Sequence, residues 1–299
     1  RALSPAASVP SPAPMPPQCP RAKSRLPRSG QLAMVFPYRL KSGLSVSKAS
    51  PQMKTPGTLF CFGLGYSAMA VARRLNLEGW KVGGTCRQPH RRAALEALGI
   101  QSAVFHGGGP MEPTGLLAGA THVLLSIPPA DDSDPALRWH ADDIAAAGSV
   151  EWVGYLSTTG VYGNRDGDWV DEASDLRPSS PRSERRVRAE RAWLEWGDRT
   201  GISVQIFRLA GIYGPGRSVA DQIKAGTARR IAKPRHVFSR IHVEDIATVV
   251  AASIARPRAG GIYNVCDDEP AVPGDVVTYA CSLLEIEPPP AIPVEDADL

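Results

Sequence analysis

Four hydroxyl side chains follow an apolar run in the segment YLSTTGVYG, residues 155–163. They are Ser157, Thr158, Thr159 and Tyr162, and two glycines accompany them. Hydroxyl groups can bind a carbonyl or hydroxyl oxygen, and a phenol can also exchange a proton with it. An apolar run that ends in this way is typical of a strand whose carboxyl end contributes to an active site. The pattern leaves open which partner these hydroxyls have.

A glycine motif lies between a short apolar strand pattern at 59–62 and an alanine-rich helical pattern. Its sequence, GLGYSA at 63–68, is GxGxxA in the strand–turn–helix context that this motif requires. Gly63 permits the tight turn, Gly65 lets a pyrophosphate approach the backbone, and Ala68 allows close helix packing. Free N–H groups and the dipole at the start of the helix would bind phosphates. The residues predicted to bind a dinucleotide are Gly63, Gly65, Tyr66, Ser67 and Ala68.

The end of the second predicted strand determines the cofactor preference. NAD sites use a carboxylate there to bind the ribose 2′-hydroxyl, but no Asp or Glu occurs between Glu78 and Glu96. Instead, Arg87 follows the strand, with Arg91 and Arg92 close behind it. Guanidinium groups suit a 2′-phosphate because they can bind it bidentately. We therefore predict NADP rather than NAD, bound through Arg87; the alternative is that these arginines form a solvated helix face.

The rest of the chain alternates strand patterns with helix patterns. Further strands are predicted at 102–108, 121–129, 151–157, 203–216 and 260–268, and helices at about 135–147 and 184–198. This alternation indicates an α/β fold, a Rossmann-type doubly wound parallel sheet with right-handed crossovers. Ligands of such sheets bind beyond the carboxyl ends of the strands. We therefore predict that Ser126 binds the cofactor and that Thr158 and Tyr213 lie near the substrate.

The composition argues against several other classes of protein. The longest apolar run, IATVVAASIA from Ile246, is shorter than the roughly 18 residues that a membrane span needs. The five cysteines are scattered, with no CxxC pair and no His at ligand spacing. This arrangement predicts neither a metal site nor a disulfide scaffold, and it suits a reducing compartment. An acidic loop at 166–172 lacks the spacing of a calcium loop.

The basic character of the chain is concentrated at one end. Residues 1–55 hold nine Lys or Arg and no Asp or Glu, and they are rich in Pro and Ser, so we predict a disordered tail. The remaining body is acidic on balance, which gives no reason to expect nucleic-acid binding. A tail of this composition is typical of an organellar transit peptide. However, MKTPGTLFCFGLG at Met53 resembles a natural start, which favours an upstream extension and a cytoplasmic protein.

Several motifs occur together in a fixed order along residues 57–270. They are GLGYSA, STTGVYG, RLAGIYGPGR, RIHVEDIA and YNVCDDEP. On these motifs the chain resembles the extended short-chain dehydrogenase/reductase family, including the NAD-dependent epimerase/dehydratases. The resemblance implies a Rossmann domain at 56–217, to which 238–268 returns, and a smaller substrate-binding region at 218–237 and 269–299, which we expect to be incomplete at its C-terminus. It leaves a homodimer open, since relatives commonly dimerise.

The resemblance also implies a catalytic Ser or Thr at the end of the fifth strand and a Tyr-x-x-x-Lys pair on the next helix. Thr158 occupies the first position, but Arg182 and Arg186 stand where the Tyr and Lys are expected. Arginine stays protonated at working pH, so neither residue can be the acid/base, although Arg186 is predicted to bind the cofactor. Gly211 and Phe238 replace an Asn and an Arg that relatives acting on nucleotide sugars often carry, which weakens the case for such a substrate.

These observations predict an NADP(H)-dependent oxidoreductase or epimerase-like enzyme that acts on a small hydroxyl or carbonyl compound. Tyr162 is the first candidate proton donor and Tyr213 the second, while Thr158 would bind the substrate oxygen. The alternative for Tyr162 is packing, because its motif also occurs in relatives that have the usual Tyr. His242 is predicted to have a structural role where a strand meets a helix. The rival hypothesis is a non-catalytic NADP(H)-binding regulator or partner-binding module.

Overall fold

The computed structural model describes residues 55–232 and 236–296, so the predicted tail lies outside the described residues except for Thr55. The strands are β1 (Thr58–Phe62), β2 (Lys81–Cys86), β3 (Gln101–Val104), β4 (His122–Leu125), β5 (Trp152–Thr158), β6 (Ser203–Leu209), β7 (Gly211–Tyr213), β8 (Arg230–Ala232), β9 (Arg240–His242), β10 (Ile262–Val265) and β11 (Ala291–Pro293). The α-helices are α1 (Tyr66–Leu77), α2 (Pro89–Glu96), α3 (Pro135–Ala146), α4 (Pro181–Thr200), α5 (Val219–Lys224), α6 (Val243–Ala255) and α7 (Pro273–Leu283).

The centre of the fold is a seven-stranded parallel sheet in the order β10-β6-β5-β4-β1-β2-β3. The order reverses between β1 and β4, which is the switch point of a doubly wound sheet, where ligands bind. The predicted Rossmann-type α/β fold is confirmed. Among the described residues, the helices are too short or too polar to span a lipid bilayer.

Both faces of the sheet are covered, which explains the nearly continuous apolar runs of its strands. Successive side chains of a strand point to opposite faces, and β1 shows this clearly. Leu59 and Cys61 pack in a cluster with α1 and α6 on one face. Phe60 and Phe62 pack in a second cluster with α3 and α4 on the other face.

Four strands predicted from the sequence, at 102–108, 121–129, 203–216 and 260–268, extend beyond the strands of the structure, so those predictions were wrong at their ends. The strand predicted at 203–216 divides after Leu209, because the ladder with its neighbour β5 ends there and Gly211 pairs with Arg240 of β9 instead. The strand predicted at 102–108 ends at Val104, and Gly107 has a φ of +86°, a left-handed conformation that a regular strand does not contain.

The short elements after β6 lie mostly outside the central sheet. Strand β8 pairs with β11 in parallel, and α7 contacts both α5 and β8. Strand β7 pairs with β9 in a second two-stranded sheet. Phe238 and Ala271 are joined by two backbone hydrogen bonds, which tie the segment before β9 to the segment after β10.

Candidate active site

The turn after β1 has the conformation that the glycine motif predicts. Gly63 has a φ of +89°, and a Cβ atom there would lie 2.6 Å from Ile127 Cγ2. The Gly63 amide donates to Thr85 Oγ1 at 2.8 Å, and the Leu64 amide donates to the Thr85 carbonyl at 2.7 Å. These bonds hold the turn against the carboxyl end of β2. Both the φ and the close approach of Ile127 therefore require glycine.

The turn leads into an open helix N-terminus. Gly65 is the N-cap of α1 and offers no side-chain cap, and the first turn contains no acidic residue. Because the first helical amide to bond back is that of Met69, to the Gly65 carbonyl at 2.9 Å, the preceding amides have no acceptor within the helix. A Cβ atom on Gly65 would meet nothing within 4 Å. The space in front of these amides therefore fits a phosphate group.

The other predicted residues of the motif support this end of the helix. Ser67 and Ala68 are buried, and Ala68 packs in the cluster between the sheet and α6. The Tyr66 side chain turns toward a neighbouring loop, where its hydroxyl donates to the Pro215 carbonyl at 3.1 Å and its ring lies under the Arg217 guanidinium. We call the group of amides at the start of α1 that lack an acceptor within the helix the amide cradle. Tyr66 and Ser67 contribute their backbone N–H groups to it.

A cavity of about 250 Å³ lies in front of the glycine turn, and its walls come from the ends of β2 and β4. Arg87 and Ser126 both line it, and no Asp or Glu does. Of the three candidate arginines, Arg91 donates to the Leu64 carbonyl at 3.1 Å, and Arg92 pairs with Glu96 at 2.7 Å. Within the described part of the chain, the Arg87 guanidinium is exposed and has no bonded partner. Arg91 lines the same cavity with one of its N–H groups bound to the Leu64 carbonyl, so Arg87 is the arginine of this cavity whose whole guanidinium is uncommitted among the described residues.

At the end of β5, neighbouring hydroxyls face opposite sides of the sheet. Thr158 is half-buried at the carboxyl edge, and its Oγ1 accepts a hydrogen bond from the Gly160 amide at 3.1 Å. Its hydroxyl proton therefore stays free to be donated. Ser157 is buried and donates instead to Glu190 of α4. Only Thr158 of these two can meet a ligand beyond the strand end.

Tyr162 belongs to a buried polar network that the sequence pattern did not reveal. Its side chain is 2% exposed, and its hydroxyl donates to Asn264 Oδ1 at 2.7 Å and accepts from Arg208 Nη1 at 2.8 Å. Arg208 also pairs with Glu190 at 2.8 Å, with both side chains almost fully buried. Burial lowers the pKa of Arg208, but the bonds and charge of Glu190 and the bond to Tyr162 outweigh this and raise the pKa overall. The sequence carries one signal for this network, the carboxylate of Glu190 four residues after Arg186, which stands at the expected Lys position.

The two arginines at the expected Tyr and Lys positions differ in exposure and in the contacts that their side chains make. Arg182 is exposed on the first turn of α4. Arg186 is half-buried, and its Nη1 donates to the Leu156 carbonyl at 2.7 Å and to the Tyr155 hydroxyl at 3.1 Å. Arg186 is therefore bound to two residues of β5, and only its remaining N–H groups are available to a ligand. Burial raises the pKa of Tyr155 well above its ordinary range, so its phenol stays neutral.

Tyr213 lies on β7, just beyond the carboxyl edge of the main sheet. Burial, together with the hydrogen bond and charge of Asp267, raises the pKa of Tyr213 to about 12. Its ring packs edge-on against His242 at 5.2 Å. His242 is the N-cap of α6, where its Nδ1 accepts from the Glu244 amide at 3.3 Å, in agreement with the structural role predicted for it. In residues 55–232 and 236–296, no group of three or more His, Cys, Asp or Glu could hold a metal ion.

Comparison with known proteins agrees with this architecture. The profile of the family described as "NAD dependent epimerase/dehydratase family" matches residues 143–266. Protein YeeZ of Escherichia coli K12 is 30% identical over 243 residues, which are 76% of this chain and 84% of YeeZ. The structure of a functionally unknown conserved protein from Silicibacter pomeroyi DSS is 48% identical with a TM-score of 0.74, covering 81% of this chain and 84% of that one.

A more distant structure shows the same fold. UDP-glucose 4-epimerase of Thermus thermophilus, solved in complex with NAD, is 19% identical with a TM-score of 0.63, and the match covers 81% of this chain and 88% of the epimerase. The parallel sheet, the glycine turn and the open helix N-terminus are thus accompanied by similarity in sequence over most of the described chain. We conclude that this protein belongs to the NAD dependent epimerase/dehydratase family.

Proposed function

We propose that the chain binds NADP(H) at the carboxyl edge of its central sheet and acts as an oxidoreductase or epimerase-like enzyme on a small hydroxyl or carbonyl compound. The observation that carries this proposal is the open amide cradle of α1 with the unpaired guanidinium of Arg87 beside the same cavity. The cradle fits a pyrophosphate, and Arg87 fits the additional 2′-phosphate that distinguishes NADP from NAD.

Each group at this edge has a role that follows from its contacts. Bound NADP(H) would supply the acceptor or donor of a hydride. Ser126 lines the cofactor cavity, while Thr158 has a free hydroxyl proton with which it can orient the substrate oxygen. Tyr213 remains a candidate proton donor because it lies just beyond the carboxyl edge of the sheet; burial and Asp267 raise its pKa, so its phenol is a weaker acid than that of a free tyrosine. The contacts of Tyr162 with Arg208 and Asn264 favour a packing role.

The cofactor preference is tested by titrating NADPH and NADH into the protein and following nicotinamide fluorescence. Arg87→Ala should weaken NADPH binding about 10- to 100-fold, since a hydrogen bond to a charged group contributes about 1.5–3 kcal/mol, and leave NADH binding unchanged. Arg92→Ala is the matched control, because Arg92 is also exposed but pairs with Glu96. Tighter binding of NADH than of NADPH by the unmodified protein would refute the assignment of Arg87.

A second candidate function is NADP(H) binding without turnover, as in a redox-responsive regulator. Two observations favour it: Arg182 and Arg186 replace the expected Tyr and Lys, and the hydroxyl of Tyr162 is held by Arg208 and Asn264. The absorbance of NADPH in the presence of a broad panel of aldehydes, ketones and sugars separates the two functions. Consumption that depends on one of these compounds would support the enzyme. Binding with no consumption across the panel would support the regulator.

A further inference from the structure

Two hydroxyl groups from different elements converge on Gly160, just beyond the end of β5. Thr158 Oγ1 and Ser183 Oγ each lie 3.3 Å from the position that a Cβ atom on Gly160 would occupy. Gly160 is exposed, and both hydroxyl residues are half-buried. The absence of a side chain on Gly160 therefore leaves a small space that both hydroxyl oxygens border.

The existing hydrogen bonds leave both hydroxyl protons free to point into this space. Thr158 Oγ1 accepts from the Gly160 amide at 3.1 Å. Ser180, the N-cap of α4, accepts from the Ser183 amide at 3.2 Å and donates its own proton to Ser183 Oγ at 3.0 Å. Each of the two oxygens thus has a donor already, and neither hydroxyl proton has an acceptor among the described residues. Two free donors that face one space are suited to a single acceptor oxygen.

The other side chains near this edge are less suited to that task. The hydroxyl of Tyr162 is bonded to Arg208 and Asn264 in the buried network. Arg186 donates a hydrogen bond to the Leu156 carbonyl of β5. Ser183 lies on the first turn of α4, a helix of 20 residues, whose positive end stabilises negative charge that develops on a nearby oxygen.

We infer that Thr158 and Ser183 together bind the reactive oxygen of the substrate, a carbonyl or hydroxyl group, in the space above Gly160. Ser183 thereby takes over the place of the second hydroxyl that the Tyr of relatives provides at the start of this helix. This inference rests on the proposed function, since the oxygen belongs to the compound that would exchange a hydride with NADP(H). It assigns Ser183 to substrate binding and leaves proton transfer to another group.

The test uses isobutyramide, whose amide oxygen accepts hydrogen bonds as a ketone does but which cannot take a hydride. It is titrated into the full chain saturated with NADPH, and binding is followed by nicotinamide fluorescence and by saturation-transfer NMR. Ser183→Ala removes one donor. Gly160→Ala fills the space with a methyl group, and the φ of Gly160 lies outside the left-handed region, so alanine is compatible with the backbone. Ser282→Ala, on the exposed side of α7, is the matched control.

We expect isobutyramide to bind the unmodified NADPH complex and to bind Ser183→Ala about tenfold more weakly, as the loss of one hydrogen bond predicts. Gly160→Ala should weaken amide binding at least as much, Ser183→Thr should restore it, and the control should match the unmodified protein. NADPH affinity should stay unchanged in all four variants, and the melting temperature should stay unchanged in all but Gly160→Ala, whose methyl group contacts both hydroxyl oxygens closely. Equal amide affinity in Ser183→Ala, or no amide binding to the unmodified NADPH complex, would overturn the inference alone. Failure of the unmodified protein to bind NADPH would overturn the proposed function.

Discussion

Replacing Arg208 by Met should be among the most destabilising single changes in this fold. The Arg208 and Glu190 side chains pair at 2.8 Å and are 4% and 2% exposed, so solvent does not screen them. Without Arg208, the Glu190 carboxylate stays buried with only the Ser157 hydroxyl as donor, and Tyr162 loses the donor to its hydroxyl. Removing one partner of a buried pair costs about 3–5 kcal/mol, because the other charge remains uncompensated.

Arg208→Met should lower the melting temperature as well as the free energy of unfolding measured in denaturant. In a domain of this size, 1 kcal/mol corresponds to about 2–4 °C, so the melting temperature should fall by roughly 6–20 °C. The double variant Arg208→Met with Glu190→Leu should recover most of the loss, because replacing a whole buried pair by apolar side chains is close to neutral. The cost that remains should be about 1–2 kcal/mol, from the Ser157 and Tyr162 hydroxyls that lose a partner.

A double-mutant cycle by urea unfolding, followed by circular dichroism, measures this coupling. The matched control is the pair of Arg92 and Glu96, whose side chains are 44% and 47% exposed and whose charged atoms lie 2.7 Å apart. Arg92→Met and Glu96→Leu should each lower the free energy of unfolding by no more than about 0.5 kcal/mol. Additive losses at Arg208 and Glu190, or a loss below about 1 kcal/mol for Arg208→Met, would refute the reasoning.

Three further predictions concern Gly65, Gly163 and Tyr213. Gly65→Ala should fold normally, because its Cβ meets nothing within 4 Å, yet it should weaken NADPH binding more than tenfold by occupying the approach to the amide cradle; unchanged affinity would show that phosphate does not bind there. Gly163→Ala should lower the melting temperature strongly, since its φ is +71° and its Cβ would lie 1.9 Å from the Arg177 carbonyl oxygen; a normal melt would contradict this. The pKa of Tyr213 is raised from 10.0 to about 12, so its contribution to stability is present below about pH 10 and is lost as the pH rises through 12. Tyr213→Phe should therefore lose less stability than the unmodified protein between these pH values in urea unfolding, and an equal loss would argue against the burial of its phenol beside Asp267.

Local patterns predicted the parts of the site that depend on neighbours in the chain. The turn at Gly63 and the helix that begins at Tyr66 follow from a strand, two glycines and an alanine-rich segment in immediate succession. The same is true of Thr158, which ends a strand and lies at the carboxyl edge as predicted. Strand ends were predicted less well, because the end of β6 depends on where its neighbours in the sheet stop.

Patterns along the chain could not show which polar groups are already bonded. Tyr162 is separated from Asn264 by 102 positions, and Ser157 from Glu190 by 33. Nothing in the spacing of the hydroxyls indicates that Tyr162 is engaged or that Ser183 comes to lie beside Gly160. The same holds for the arginines: among the described residues Arg87 has no bonded partner, whereas Arg186 donates to the Leu156 carbonyl of β5.

The sequence by itself determined the Rossmann-type fold, the conformation of the glycine turn and the edge of the sheet at which we propose that the cofactor binds. Each of these depends on periodic burial and on backbone conformation within about a dozen residues. Only the tertiary structure decided which hydroxyls and guanidinium groups remain available for a ligand. A buried polar group must find partners wherever the fold brings them, and the partners of Tyr162 come from β6 and β10, which are distant in the sequence.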